Sequence, residues 1–178
     1  MHPQKRWMLA INVLGGMAVL GSYALGLAGN PAAGDALWGG VPDSLRPAYT
    51  AGMLLAALGY LTFLYFLLFR LDPDQARIGG RFGYGLFLLL IAAILIPSAL
   101  WMPLTVRMVQ QPAPALWAAI RLVLAVVGLA AVGLLLALVW LRPRQPRVAY
   151  WAAVTGAALS ALHTGVLDAL LWTALFPA

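Results

Sequence analysis

Residues 82–102 read FGYGLFLLLIAAILIPSALWM, a stretch without one charged side chain. A helix needs about 20 apolar residues to cross the hydrocarbon core of a bilayer, so this segment predicts a spanning helix. Four more runs have the same character: Trp7–Leu27, Ala48–Phe69, Pro114–Leu141 and Val148–Phe176. The first three runs in chain order are uncharged, whereas the fourth carries Arg121 and the fifth carries His163 and Asp168. The last two are long enough to tilt or to project beyond the hydrocarbon. Composition agrees, because the 178-residue chain is 63% hydrophobic and 9% charged. Soluble domains run near 25% charged, so this chain lacks the polar surface to cover itself in water. The expected fold class is an all-α integral membrane protein, with one five-helix transmembrane domain over residues 1–178.

The connections stop the helices and orient them. The long first loop, residues 28–47, is rich in Gly, Pro and Asp. The second, Arg70–Arg81, reads RLDPDQARIGGR, and the fourth, Arg142–Arg147, reads RPRQPR. The third, Pro103–Ala113, contains Pro103, Arg107 and Pro112. Proline ends helices because it lacks the N–H and clashes with the preceding turn. Lys5, Arg6, Arg70, Arg77, Arg81, Arg142, Arg144 and Arg147 fall on one side, and only Arg46 and Arg107 on the other. The positive-inside rule then places the N-terminus in the cytoplasm and the C-terminus outside. The expected location is the inner (cytoplasmic) membrane, as a multi-pass protein in contact with membrane lipids. Lys5-Arg6, the apolar run and small residues near Gly26–Ala28 also match a secretory signal. The run exceeds a usual h-region, and the orientation works with the segment retained as a helix.

Several chemistries are excluded or unsupported. The formal charge of +6 would suggest nucleic acid in a soluble chain, but here the charges sit between apolar runs. No nucleic-acid partner is expected. Zero Cys removes disulfides, iron–sulfur ligation and thiol chemistry. Two His leave little for a metal site, and a lone axial His163 has no second feature pointing to haem iron. No nucleophile–base set, paired carboxylates or phosphate loop appears, so no catalytic residue is assigned. No internal repeat supports an inverted-repeat transporter.

Small residues mark expected helix contacts, since close packing drives association in lipid. They are Gly15, Gly16, Gly21 and Gly26 in the first span, Gly52, Ala56 and Gly59 in the second, and Gly128 and Gly133 in the fourth. Asn12 reads as an interhelical hydrogen-bonding group, and Pro97 should kink the third span.

The polar remainder converges. On the deduced topology His163, Asp168 and Arg121 all lie in the outer half, and intramembrane ionisable groups are functional candidates by default. Ser160, Thr164, Asp168 and Trp172 recur every four residues as one stripe. At about 100° per residue, His163 and Asp168 lie roughly 140° apart, so a dyad within the helix is not expected. An Arg121–Asp168 pair across helices is, either as a pin between helices or as part of a ligand site. His163 reads equally as a hydrogen-bonded packing histidine. Trp101, Trp117 and Trp172 lie towards the outer ends and Trp38 lies in the first loop. Belt anchoring accounts for such placements, and so does an aromatic wall around a flat apolar ligand.

Short stretches carry a family resemblance. Met53–Tyr65 (MLLAALGYLTFLY), Trp101-Met102-Pro103, Leu116–Leu124 (LWAAIRLVL) and Leu167-Asp168 followed by Trp172 resemble segments of the translocator-protein (TspO/MBR) family of tryptophan-rich sensory proteins. The resemblance spans residues 8–173 in topology. It implies a five-helix bundle holding a porphyrin-, sterol- or lipid-like molecule beneath the first loop, and a homodimer. The ligand-contacting Trp of the family maps onto Trp117. Three departures bear on ligand preference. The Trp/Pro-rich first loop is reduced to Trp38, Pro42 and Pro47, an acidic position becomes Arg121, and an Asn becomes Asp168. The expected ligand site therefore comprises Trp38, Trp101, Trp117, Arg121, His163, Asp168 and Trp172. The alternatives are a structural accessory subunit of a larger membrane complex and a small carrier.

Overall fold

Among the described residues, five helices are long and apolar enough to cross a membrane. The computed structural model describes residues 1–28 and 33–176. Its helices are α1 (Pro3–Ala28), the short α2 (Ala33–Ala36), α3 (Arg46–Tyr65), α4 (Gly85–Gln110), α5 (Pro114–Val139), α6 (Arg147–Ala161) and α7 (Thr173–Leu175). Two of them are extended by wider π-helical turns. α3 continues as Phe66–Arg70, and α6 continues as Leu162–Trp172 into α7. Residues 29–32 of the expected first loop lie outside the described residues.

The boundaries follow the apolar runs closely, with one exception. α4 does not stop before Pro103 but runs through both Pro97 and Pro103 to Gln110, so the third connection shrinks to a few residues. An interior proline is tolerated in a membrane helix where neighbours and hydroxyl side chains take up freed backbone groups. Ser98 Oγ donates to the Ile94 carbonyl (2.7 Å) and Thr105 Oγ1 to the Trp101 carbonyl (2.8 Å), close to but not on the Ala93 and Ala99 carbonyls that the prolines leave without a donor. The added turns are amphipathic, with Thr105 and Met108 buried and Arg107 exposed.

Chain order is not packing order. α1 packs on α4, α4 on α5, α5 on α6 and its extension, and α6 on α3. The α3–α6 contact is a close one, because small residues leave backbone facing backbone. A Cβ on Gly59 would lie 3.0 Å from the Gly156 Cα and would overlap the Gly156 carbonyl oxygen. Ser160 Oγ also donates across this seam to the Ala56 carbonyl (3.0 Å). Gly128 meets Gly165 in the same way, 3.0 Å from its Cα. The α1 glycines divide. Gly15 and Gly26 sit against Leu95 and Met102 of α4, whereas Gly16 and Gly21 face open space rather than a helix. α1 and α3 are bridged by Tyr60 Oη donating to Asn12 Oδ1, the interhelical role expected for the only amide in that span.

The two ends of the bundle differ. The N-terminus of α1, the π-helical end of α3, the start of α4, the end of α5 and the start of α6 share one end, and all eight basic residues named above gather there. Its two charged loops are tied by an antiparallel ribbon of β1 (Arg77–Ile78) and β2 (Leu141–Arg142), in register Arg77↔Arg142 and Ile78↔Leu141. Alternation along these strands turns Ile78 and Leu141 inward and both arginines outward. The inward pair caps a core that includes Met8, Phe63, Phe66, Tyr84, Phe87 and Tyr150. A second core, around Val41, Tyr49, Met108, Ile120, Leu124 and Trp172, fills the opposite end.

Candidate functional site

His163 and Asp168 border the second core through Tyr49, and the last helix determines how they are arranged. Leu162–Trp172 is π-helical, with backbone bonds between residues five apart, and its wider turns bring such residues much nearer one another around the helix than in an α-helix. His163 and Asp168 therefore share a face, with His163 Nε2 3.6 Å from Asp168 Oδ1. The 140° separation expected from α-helical spacing does not hold, because the repeat of this segment is wider. Gly165 faces Gly128 of α5, and Thr164 Oγ1 donates to the Ser160 carbonyl (2.9 Å), so the widened turns are accommodated beside a closely approaching helix.

Tyr49, in the first turn of α3, completes the group. Its hydroxyl donates to the Leu167 carbonyl and lies 3.3 Å from Asp168 Oδ1. Its ring meets the His163 ring edge to face at 5.6 Å, and Trp38 packs edge-on to it at 6.0 Å. An imidazole, a carboxyl group and a phenol thus meet between α3 and the last helix. The sequence reading did not single out Tyr49, yet a signal was present. Tyr49, Gly52, Ala56, Gly59 and Phe63 form one face of α3 by helical spacing, and a phenol heading a stripe of small residues lands in the seam those residues open.

Arg121 stands apart. It is exposed and forms no ion pair among the described residues. The expected Arg121–Asp168 pair is absent because α5 turns Ile120 and Leu124 towards the cluster, which leaves Arg121 on the outer side of the helix. Asp168 is engaged by Tyr49 and His163 instead.

The four tryptophans do converge on this end. Trp101 and Trp117 lie 5.6 and 6.3 Å from Trp172, and Phe176 stacks on Trp117 at 5.3 Å and meets Trp172 at 4.6 Å. These rings pack on each other. The grooves of about 540 and 350 Å³ lie at the basic end and are lined by other residues. The first loop closes over the aromatic cluster. Trp172 Nε1 donates to the Leu37 carbonyl (3.0 Å). Gly39, at φ +57, presses against Phe176, and Gly40 lies against the Leu175 backbone. A side chain at Gly39 would be strained by both its φ and its neighbour. Trp172→Phe removes the tie to Leu37, and faster proteolysis within residues 33–45 is the expected outcome.

Among the described residues, Nδ1 of His163, Nε1 of Trp101 and Nε of Arg46 are buried at this end without a hydrogen-bonding partner. The first is turned towards Gly52, whose absent Cβ leaves it room. Buried polar atoms without partners are rare and costly. Among the described residues no group of three or more His, Cys, Asp or Glu is placed to hold a metal ion. What the arrangement supplies is hydrogen bonding and proton exchange in an aromatic, apolar setting. No protein-family model matches the chain, nor does any curated protein or solved structure.

Proposed function

We propose that the protein binds or senses a flat hydrophobic small molecule, porphyrin-, sterol- or lipid-like, at the aromatic end of the bundle. In this reading it is a multi-pass protein of the cytoplasmic membrane, with the basic end in the cytoplasm. One observation carries the proposal. His163 Nδ1 and Trp101 Nε1 are buried without partners among the described residues, in a region walled by Trp38, Trp117 and Trp172. A ligand bearing a hydrogen-bonding edge would satisfy these two atoms while its apolar face replaced ring-on-ring packing. The first loop would lift to admit it, since its hold on the last helix rests on the Trp172–Leu37 bond and the Gly39–Phe176 contact. Tyr49 and Asp168 would orient the imidazole. The translocator-protein resemblance points to the same ligand class and to a homodimer.

Titration of the purified protein with protoporphyrin or a sterol, followed by tryptophan quenching, tests the site. Saturable quenching is expected, weakened about tenfold by Trp117→Ala through loss of an aromatic contact. His163→Leu should weaken it by a similar factor through loss of a buried hydrogen bond. Quenching indifferent to both substitutions would remove this pocket.

A further inference from the structure

The basic end carries a second feature, unrelated to the aromatic cluster. Where the start of α1 meets the π-helical end of α3, a groove of about 540 Å³ opens. Lys5 and Arg70 line it, together with His2, Asp72 and the apolar Leu9 and Phe69. The acidic groups nearby are already engaged. Asp72 accepts from the Asp74 backbone N–H (3.1 Å) and from Gln75 Nε2 (2.9 Å). Asp74 pairs with His2 at 3.3 Å.

The basic groups are not. Arg70 uses Nε to donate to the Tyr65 hydroxyl (2.8 Å) and lies over that ring at 5.3 Å. Its two terminal nitrogens, like the Lys5 ammonium, have no acceptor among the described residues. Leu9 and Phe69 are 45% and 68% exposed just beside these cations. A pair of unpaired cations above exposed apolar side chains, at the end of membrane-length helices, has the polarity of a phospholipid at the interface.

We propose that this groove is a binding site for one anionic phospholipid, its phosphate held by Lys5 and Arg70 and its acyl chains lying along Leu9 and Phe69. Tyr65 fixes the guanidinium so that its outer edge presents two parallel N–H groups, the geometry that suits phosphate oxygens. The proposal rests on insertion of the helices in a bilayer. It is independent of the ligand site at the other end.

Native mass spectrometry of the full chain, released from mild detergent and titrated with phosphatidylglycerol or phosphatidylcholine, tests it. One retained phosphatidylglycerol per chain is expected, well ahead of phosphatidylcholine. Each basic residue near a membrane surface contributes about fivefold, so Lys5→Gln with Arg70→Gln should weaken retention about 30-fold. Arg81→Gln with Arg147→Gln removes the same charge from the same end outside this groove and should leave retention nearly unchanged. Unaltered helical circular dichroism in both double variants shows that they remain folded. Equal loss in the two double variants would overturn the site in favour of diffuse attraction. Equal retention of both lipids, or displacement of phosphatidylglycerol by inorganic phosphate alone, would overturn it as well.

Discussion

Gly59→Val is expected to lower stability by about 3 kcal/mol or more, the upper range for forcing volume into a packed contact. SDS-induced unfolding in mixed micelles, read by circular dichroism, is the measurement. The cost arises because both partners are backbone. The added side chain would meet the Gly156 carbonyl group and Cα, and neither can rotate aside as a flexible side chain would. Gly156→Val should behave alike, since its Cβ would overlap Thr62 Oγ1 and the Gly59 carbonyl oxygen. Separation of α3 from α6 would also strain the Ser160–Ala56 bond. It would loosen the seam that holds Tyr49 against the last helix too, so the proposed ligand binding should fail with stability. Gly16→Val and Gly21→Val are the contrast. No described residue comes within 4 Å of a Cβ at either, so each should change stability by no more than about 0.5 kcal/mol. If all four variants unfold alike, the α3–α6 contact is not the one that holds the bundle together.

That contrast shows what residue order conveys and what it does not. Apolar runs of spanning length are written directly into composition, which is why five helices were legible from residues such as 82–102. A small-residue face is legible as well, but its partner is not. Gly59 and Gly16 look alike in one dimension, and only the packing of α3 on α6 separates them. Pro103 misled because proline removes a backbone donor and so ends most helices, whereas here the packing of Met102, Thr105 and Met108 carries α4 through it to Gln110. The ribbon at Arg77–Ile78 and Leu141–Arg142 is too short to leave an alternating pattern, and it sits inside stretches dominated by charge. At the candidate site the residue types were legible and the pairing was not. Trp101 and Trp117 both meet Trp172. The relation of His163 to Asp168 depends on the number of residues per turn, which changes at Leu162 with no marker in the sequence.

The changed pairing yields a measurable coupling. In a double-mutant cycle on unfolding free energy, His163→Ala and Asp168→Ala are expected to be non-additive by about 1 kcal/mol, the scale measured for polar side-chain contacts in membrane bundles. The geometry behind this is the 3.6 Å approach of Nε2 to Oδ1. Asp168→Ala also strips Tyr49 of one of its two acceptors, so Tyr49→Phe should couple to Asp168→Ala with the same sign and a smaller size, because the Leu167 carbonyl remains. Arg121→Ala paired with Asp168→Ala should instead add within about 0.3–0.5 kcal/mol, the tolerance for independent sites. An α-helical last span would reverse this pattern. His163 and Asp168 would then face different neighbours and add, and a coupling between Arg121 and Asp168 would become the larger one. The cycle therefore reads the helical repeat of residues 162–172 through energetics alone. Asp168→Asn refines it. The amide keeps a hydrogen-bonding oxygen for Tyr49 and His163 but carries no charge, so near-native stability in Asp168→Asn beside a clear loss in Asp168→Ala would identify the contact as a hydrogen bond rather than an ion pair. A loss in Asp168→Asn as large as in Asp168→Ala would assign the coupling to the carboxylate charge.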